Sequence, residues 1–180
     1  MPKALVPLAH GCEEIEASTI IDILRRANIE VVTAGLDTHP VRTAHGMTLL
    51  PDTTLDAALS HDYDMVVLPG GQPGTDNLRA DARIRDLLKR MAQNGKYTAA
   101  ICAAPSVLAA AGLLDGRNAT CYPTCLNSFP KVHLKNAAIV EDGKLITSRS
   151  PGTAMDFALT LVERLAGHAK RKEVEAALER

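Results

Sequence analysis

Chemistry in this chain can start from Cys102, which lies in the stretch YTAAICAAPSVLAA, residues 97–110. Thr98, Ala99, Ala100 and Ile101 form a short apolar run after the turn signal Asn94-Gly95, and this predicts a buried strand. Ala103 and Ala104 are small enough for a tight turn. Pro105 suits the first turn of a helix, where its missing N–H costs nothing. A strand that breaks into a helix at a cysteine is a nucleophile elbow: the side chain is held up, and N–H groups at the helix start face an anion beside it. On this pattern the Cys102 thiol should have a depressed pKa. The competing reading is an inert core cysteine, since free Cys is among the most buried residue types.

In open α/β sheets, ligands bind outside the C-terminal ends of the strands. Two other segments sit at such predicted ends: HGCEEIE, residues 10–16, and Pro69-Gly70-Gly71. With Ile101-Cys102-Ala103 they are candidates to converge on one site. Glu16 reads either as a site carboxyl or as an exposed helix glutamate in an acidic first turn. Beside Cys102, a charged carboxylate would raise the thiol pKa, so Glu16 must carry a proton whenever Cys102 is a thiolate. Burial favours that neutral form, which can donate a hydrogen bond to sulfur, and the two titrations are then coupled. The same donor would hold a sulfinate oxygen and favour arrest of oxidation at that step. His10 reads as a solvated loop histidine rather than a base.

The four cysteines, Cys12, Cys102, Cys121 and Cys125, have no CxxC spacing, so neither a zinc ribbon nor a thioredoxin-type dithiol is indicated. No P-loop or GxGxxG run cradles a phosphate. We expect no metal and no nucleotide cofactor. Cys121 precedes Tyr122 on an expected strand beside the pocket, and is either a resolving thiol for oxidised Cys102 or a packed strand cysteine. Cys12 precedes the Glu16 helix and is near the site on that ground. Cys125 reads as a small apolar filler.

These residues need a scaffold of alternating strands and helices. Strands are expected at residues 3–9, 29–35, 64–69 and 98–101, each apolar almost throughout, as when both faces of a parallel sheet are covered. Helices are expected at 13–28, at 55–59, in two pieces after Gly71 with Asp81 as a cap, and from Pro105 to about 111. His45-Gly46 separates two short extended pieces, 41–43 and 47–50, as a small hairpin. A short strand is expected at 119–122 and a helical turn at 124–129. Asp142-Gly143 marks a hairpin between 138–140 and 144–147. An amphipathic helix follows Ser150-Pro151-Gly152 and ends at Gly167, before a charged terminal helix at 168–180. This is a doubly wound α/β pattern, read as one domain over residues 1–180. The net charge of −1 gives no attraction to nucleic acid or anionic membrane. Aromatics make up only 3 % with no Trp, which argues against a base-stacking surface. No apolar run is long enough to span a bilayer, and residues 1–9 lack a signal-peptide pattern. The expected compartment is the cytoplasm, with free thiols.

GCEEIEA, VVLPGG, AAICAAP and ITSRSPGTAMDFAL, in that order, resemble the ThiJ/PfpI superfamily, and within it most the branch of the parkinsonism-associated protein deglycase and its bacterial relatives. The resemblance spans about residues 3–165. It implies a flavodoxin-like three-layer sandwich, a mostly parallel sheet with helices on both faces, and a homodimer. It also implies an oxidation-sensitive Cys102 paired with Glu16, with the N–H groups of Gly71 and Ala103 as oxyanion donors. Gly70, Cys121, Tyr122 and Arg26 are placed at the pocket, with Arg26 or its neighbour Arg25 arriving from the partner subunit. Arg149, in the stretch 148–153, is placed at the dimer and pocket border. Both arginines read equally as helix-end or surface cations. The chain departs from the protease-like and glyoxalase-like branches, which carry His directly after the cysteine; here that residue is Ala103. The parkinsonism-associated branch often has His before a proline where this chain has Tyr122-Pro123. With no adjacent histidine base, amide-bond proteolysis is disfavoured.

The reading that results is a cysteine-dependent, cofactor-independent protein acting on reactive carbonyls: a deglycase or glyoxalase-like enzyme taking small dicarbonyls such as methylglyoxal, or glycated proteins, to a hydroxy acid such as lactate. The alternative is a redox sensor or oxidation-responsive holding chaperone for unfolded client proteins, without turnover. A third, an enzyme of thiazole-phosphate synthesis, is disfavoured by the missing phosphate-binding motif.

Overall fold

A computed structural model of the chain describes residues 1–180. The elements follow in the order β1 (Lys3–Leu8), α1 (Glu14–Arg26), β2 (Glu30–Gly35), β3 (Val41–Arg42), β4 (Thr48–Leu49), β5 (Thr53–Thr54), α2 (Leu55–Ala58), β6 (Met65–Leu68), α3 (Gly74–Ala80), α4 (Ala82–Gln93), β7 (Tyr97–Ile101) and α5 (Pro105–Ala110). After these come β8 (Asn118–Ala119), β9 (His133–Leu134), β10 (Ile139–Asp142), β11 (Leu145–Ser148), a 3-10 turn (Pro151–Thr153), α6 (Ala154–Ala166) and α7 (His168–Ala177). Seven strands form one sheet in the order β10-β11-β7-β6-β1-β2-β5. Every pairing in it is parallel except β10 with β11.

The near-continuous apolar strands follow from burial on both faces. Successive side chains alternate. On one face Ala4, Val6, Met65, Val67, Ala99 and Ile101 pack under Ile20, Ile23 and Leu24 of α1, Phe157 and Leu161 of α6, and Val174 of α7. On the other face Leu5, Val66, Leu68 and Ala100 meet Leu55, Leu78, Ile84, Leu87, Val107 and Leu108 of α2–α5. The result is an α/β, flavodoxin-like sandwich of helix, sheet and helix. Small strand residues at 99 and 100 let the helices of both layers sit close to the strand that carries Cys102.

Three details differ from the sequence expectation. Residues 120–122 are not strand: β8 stops at Ala119 and pairs with β9 in a separate two-residue ladder. The chain then turns away, because the Thr120 N–H donates to Thr147 Oγ1 at 2.9 Å and the Tyr122 N–H to the Cys102 carbonyl at 2.7 Å. β5 adds an unexpected sheet edge. It is anchored by Asp52, whose carboxylate accepts from the Thr33 N–H and from Arg25, both at 2.9 Å. Glu13 is not the first helical residue of α1 but its cap, its carboxylate accepting the Glu16 N–H at 2.7 Å. No helix is long and apolar enough to cross a membrane.

Phe157 is fully buried at the centre of the α1/α6 layer. Phe157→Ala should cost about 3–5 kcal/mol through lost burial plus the cavity left behind. Equilibrium urea unfolding checks this; a loss below about 1 kcal/mol would mean the layer closes over the gap.

Candidate active site

Three loops meet at the C-terminal edge of β1, β6 and β7. The first runs from β1 into α1, the second follows β6 through Gly70-Gly71, and the third is the break after Ile101. They approach so closely that side chains are not tolerated. A Cβ on Gly70 would stand 2.7 Å from Cys102 Cβ, 2.8 Å from Glu16 Oε2 and 2.8 Å from the Ile101 carbonyl. Gly71 has φ +88°, and a Cβ there would meet the Glu13 nitrogen at 2.4 Å. The contact is sealed by the Glu13 N–H, which donates to the Gly70 carbonyl at 2.9 Å.

Cys102 has φ +63°, a left-handed conformation that costs a non-glycine residue about 1–3 kcal/mol. The fold holds it there from both sides. Its N–H donates to the Ser148 carbonyl of the neighbouring strand at 2.9 Å, and its carbonyl accepts the Tyr122 N–H. This is the strained strand-to-helix elbow expected from the sequence, with Pro105 in the first turn of α5. The side chain is 8 % exposed.

Glu16 is fully buried, so it is not the exposed helix glutamate of the alternative reading. Its Oε2 accepts the Gly70 N–H at 2.7 Å. Oε1 is buried with no nitrogen or oxygen partner. The polar group this carboxyl shares is the Cys102 thiol. Burial pushes Glu16 up to about 7, against the pull of the Gly70 N–H and the thiol. Burial, then the charge of Glu16 and the hydrogen bond to it, push the Cys102 thiol up as well, while the N–H groups of Ala103 and Gly71 pull it down. The depressed thiol pKa expected from the helix start is therefore corrected: α5 has only six residues, and desolvation beside a carboxylate outweighs its dipole. A thiolate here requires the proton to sit on Glu16.

The remaining candidates divide. Gly70, Gly71 and Ala103 surround the Cys102–Glu16 pair. Tyr122 is about half exposed, and its backbone rests on the elbow. Cys121 packs with the α2–α5 layer and Cys102 with the α1/α6 layer. Arg26 ends α1, ten residues from Glu16, and pairs with Asp22 at 2.7 Å. Arg149 reaches Asn136 Oδ1 at 3.4 Å. His10 accepts the Arg42 N–H on Nδ1 at 3.1 Å, which ties it to the hairpin rather than to the thiol. Cys12 is buried near Glu14, Glu13 and Glu16, and burial pushes its thiol up to about 12.

Sequence reasoning missed the support behind Glu16. Glu14 Oε1 accepts from Thr43 Oγ1 and the His45 N–H, both at 3.0 Å, pinning the β3–β4 hairpin to α1. These bonds hold Glu14 below its ordinary value, although desolvation works the other way. Two glutamates two residues apart on α1 thus have opposite charge preferences, set by their surroundings. The only sequence signal was Glu14 in the acidic first turn together with the His45-Gly46 turn.

A flavodoxin-like sheet with a strained cysteine elbow and a buried glutamate defines the class. The DJ-1/PfpI family model matches residues 2–164, and the chain belongs to that family. It is 44 % identical to the protein dj-1beta of Drosophila melanogaster, over 98 % of this chain and 96 % of that one. A crystal structure of Drosophila melanogaster DJ-1beta superposes with a TM-score of 0.95 at 42 % identity, covering 98 % of this chain and 97 % of the other. The glutathione-independent glyoxalase DJR-1.2 of Caenorhabditis elegans is 37 % identical, over 88 % of this chain and 85 % of its own.

Two outcomes follow from the packing and charge of the site. Gly70→Ala should destabilise by about 1–3 kcal/mol, because backbone and Cys102 must shift, and urea midpoints report it. Glu16 has an ordinary value of 4.5 and a native value of about 7, so between those pH values the native state holds a proton that the unfolded chain releases. Its contribution to stability is complete below 4.5 and is lost as pH rises through 7, by roughly 3 kcal/mol at most. Between pH 4.5 and 7.5, Glu16→Gln should therefore lose less stability than the parent. Identical pH profiles would mean that Glu16 is not held neutral.

Proposed function

We propose that this protein is a cysteine-dependent, glyoxalase-like or deglycase enzyme acting on reactive carbonyls. The observation that carries the reading is the buried Cys102–Glu16 pair at a strained elbow, flanked by the N–H groups of Gly71 and Ala103. The similarity to a relative named as a glutathione-independent glyoxalase supports it. In this scheme the proton rests on Glu16 and Cys102 is the thiolate. The sulfur adds to the aldehyde carbon of a 2-oxoaldehyde, and the developing oxyanion is held by the two N–H groups and protonated by Glu16. Glu16, now a carboxylate, removes the proton from the former aldehyde carbon. It returns a proton to the adjacent carbon while the hydroxyl proton of the former aldehyde passes to the neighbouring oxygen, which leaves a 2-hydroxy thioester on Cys102. Water hydrolyses the thioester, releasing a 2-hydroxy acid and the thiol. One water is consumed, and oxidation of one carbon balances reduction of its neighbour, so the steps need no metal or cofactor.

The homodimer belongs to the same proposal. Ile15, Met47 and Leu50 are exposed apolar residues at the start of α1 and around the β3–β4 hairpin, next to the site. Arg26, distant from Cys102 within one chain, would approach it only from a second copy.

The test is lactate formation from methylglyoxal in amine-free buffer. Many turnovers by the parent, with at least a hundredfold loss in both Cys102→Ser and Glu16→Gln, support the enzyme and both roles. Absence of turnover, with mass spectrometry finding selective peroxide oxidation of Cys102 to sulfinate, would replace the enzyme with a redox sensor. If neither occurs, Cys102 is inert.

A further inference from the structure

The carbonyl chemistry leaves unused a group of side chains where the β3–β4 hairpin meets the start of α1. The group is Glu13, Glu14 and His45. One oxygen of each carboxylate is committed to the scaffold. Glu13 Oε2 accepts the Glu16 N–H at 2.7 Å, and Glu14 Oε1 accepts from Thr43 Oγ1 and the His45 N–H, both at 3.0 Å. The other oxygen of each turns to the same ring nitrogen. Glu14 Oε2 stands 3.1 Å from His45 Nδ1, and Glu13 Oε1 stands 3.8 Å from it. One candidate ligand atom from each of the three residues lies within 4.8 Å of the other two.

Two observations call for a cation at this point. The carboxylate side chains are only 7 % and 10 % exposed, yet no lysine or arginine pairs with either, and His45 is their one ion-pair partner. Buried charges are ordinarily paired or bound to a metal. In addition, Glu13 Oε1 has no hydrogen-bond donor, since 3.8 Å to the ring nitrogen is too long for a hydrogen bond. The spacing suits a tetrahedral ion. Metal–ligand bonds of about 2.0–2.1 Å put neighbouring ligand atoms about 3.3 Å apart. That value falls between the 3.1 and 3.8 Å found here. Calcium and magnesium take oxygen ligands, whereas zinc takes both imidazole and carboxylate. The His45 side chain is 74 % exposed, so an ion can enter from solvent and keep water on its outer side.

We propose that Glu13 Oε1, Glu14 Oε2 and His45 Nδ1 bind one zinc ion, with water in the fourth position. The neutral His45 ring then carries its proton on Nε2. The ion ties the hairpin to the first turn of α1. Glu13 both ligates the ion and caps the Glu16 N–H, so binding also fixes the turn from which Glu16 enters the site. The spacing of the cysteines gave no sign of this site, because its ligands are carboxylates and a histidine that lies 31 residues beyond Glu14.

The test is calorimetric titration of the EDTA-stripped, full-length protein with zinc chloride at neutral pH, and it is independent of carbonyl turnover. The parent should bind one zinc per chain, and saturating zinc should raise its melting temperature. His45→Ala removes an exposed ring, and Glu13→Gln keeps an oxygen for the Glu16 N–H, so both variants should fold, as circular dichroism checks. Each should lose affinity about tenfold or more. Cys102→Ala should bind as the parent does. The cobalt-substituted protein should show d–d bands without a sulfur-to-cobalt charge-transfer band. Absence of both heat and thermal shift at millimolar zinc, unchanged affinity in either ligand variant, or sulfur charge transfer would each overturn the proposal.

Discussion

One buried proton organises this molecule. Glu16 lies in the α1/α6 core with one oxygen on the Gly70 N–H and the other without a nitrogen or oxygen partner. An ionised carboxylate left in that state would be costly, so the site stays stable by keeping the acid neutral or by sharing its proton with the neighbouring sulfur. The glycines follow from this. Only a residue without a side chain lets the loop after β6 bring its N–H to Glu16 and still leave room for Cys102 Cβ. The cap at Glu13 and the pinned hairpin beyond it fix the first turn of α1, and hence the direction from which Glu16 enters.

The strain at Cys102 is a second consequence of the same close approach. A left-handed cysteine persists only where its surroundings over-determine it. Here its N–H and carbonyl are both committed, to Ser148 and Tyr122. The sheet therefore does more than carry the nucleophile. The register that pairs Ser148 with Ile101 places an acceptor where the elbow N–H must point.

Most of the frame was legible in the sequence, because buried parallel strands are apolar runs of the right length and Gly, Pro and Asp punctuate them. Residues 97–105 announced the elbow by composition alone. Glu16 could not be located so easily. Periodicity places it on α1, but whether it faced solvent depended on how Gly70 packs, and only the family resemblance pointed inward. The strand expected at 119–122 failed for a related reason. Ala119, Thr120 and Cys121 have strand-like composition, yet Thr147 and Cys102 capture the backbone from Thr120 onward, and such long-range capture leaves no local pattern. β5 was invisible because two threonines make too short a run, and its edge is fixed by Asp52 reaching back to Thr33.

The electrostatics show where local reasoning reaches its limit. A helix start beside a cysteine argues for a low thiol pKa, and burial argues for a high one; the second prevails while Glu16 is charged. Once the proton is on Glu16, the repulsion disappears and the acid becomes a hydrogen-bond donor, so the N–H groups of Gly71 and Ala103 act on the sulfur unopposed. The pair thus titrates as one coupled site. What sets the reactivity of Cys102 is where that proton sits. The same burial that opposes an isolated thiolate provides the neutral acid that makes one possible.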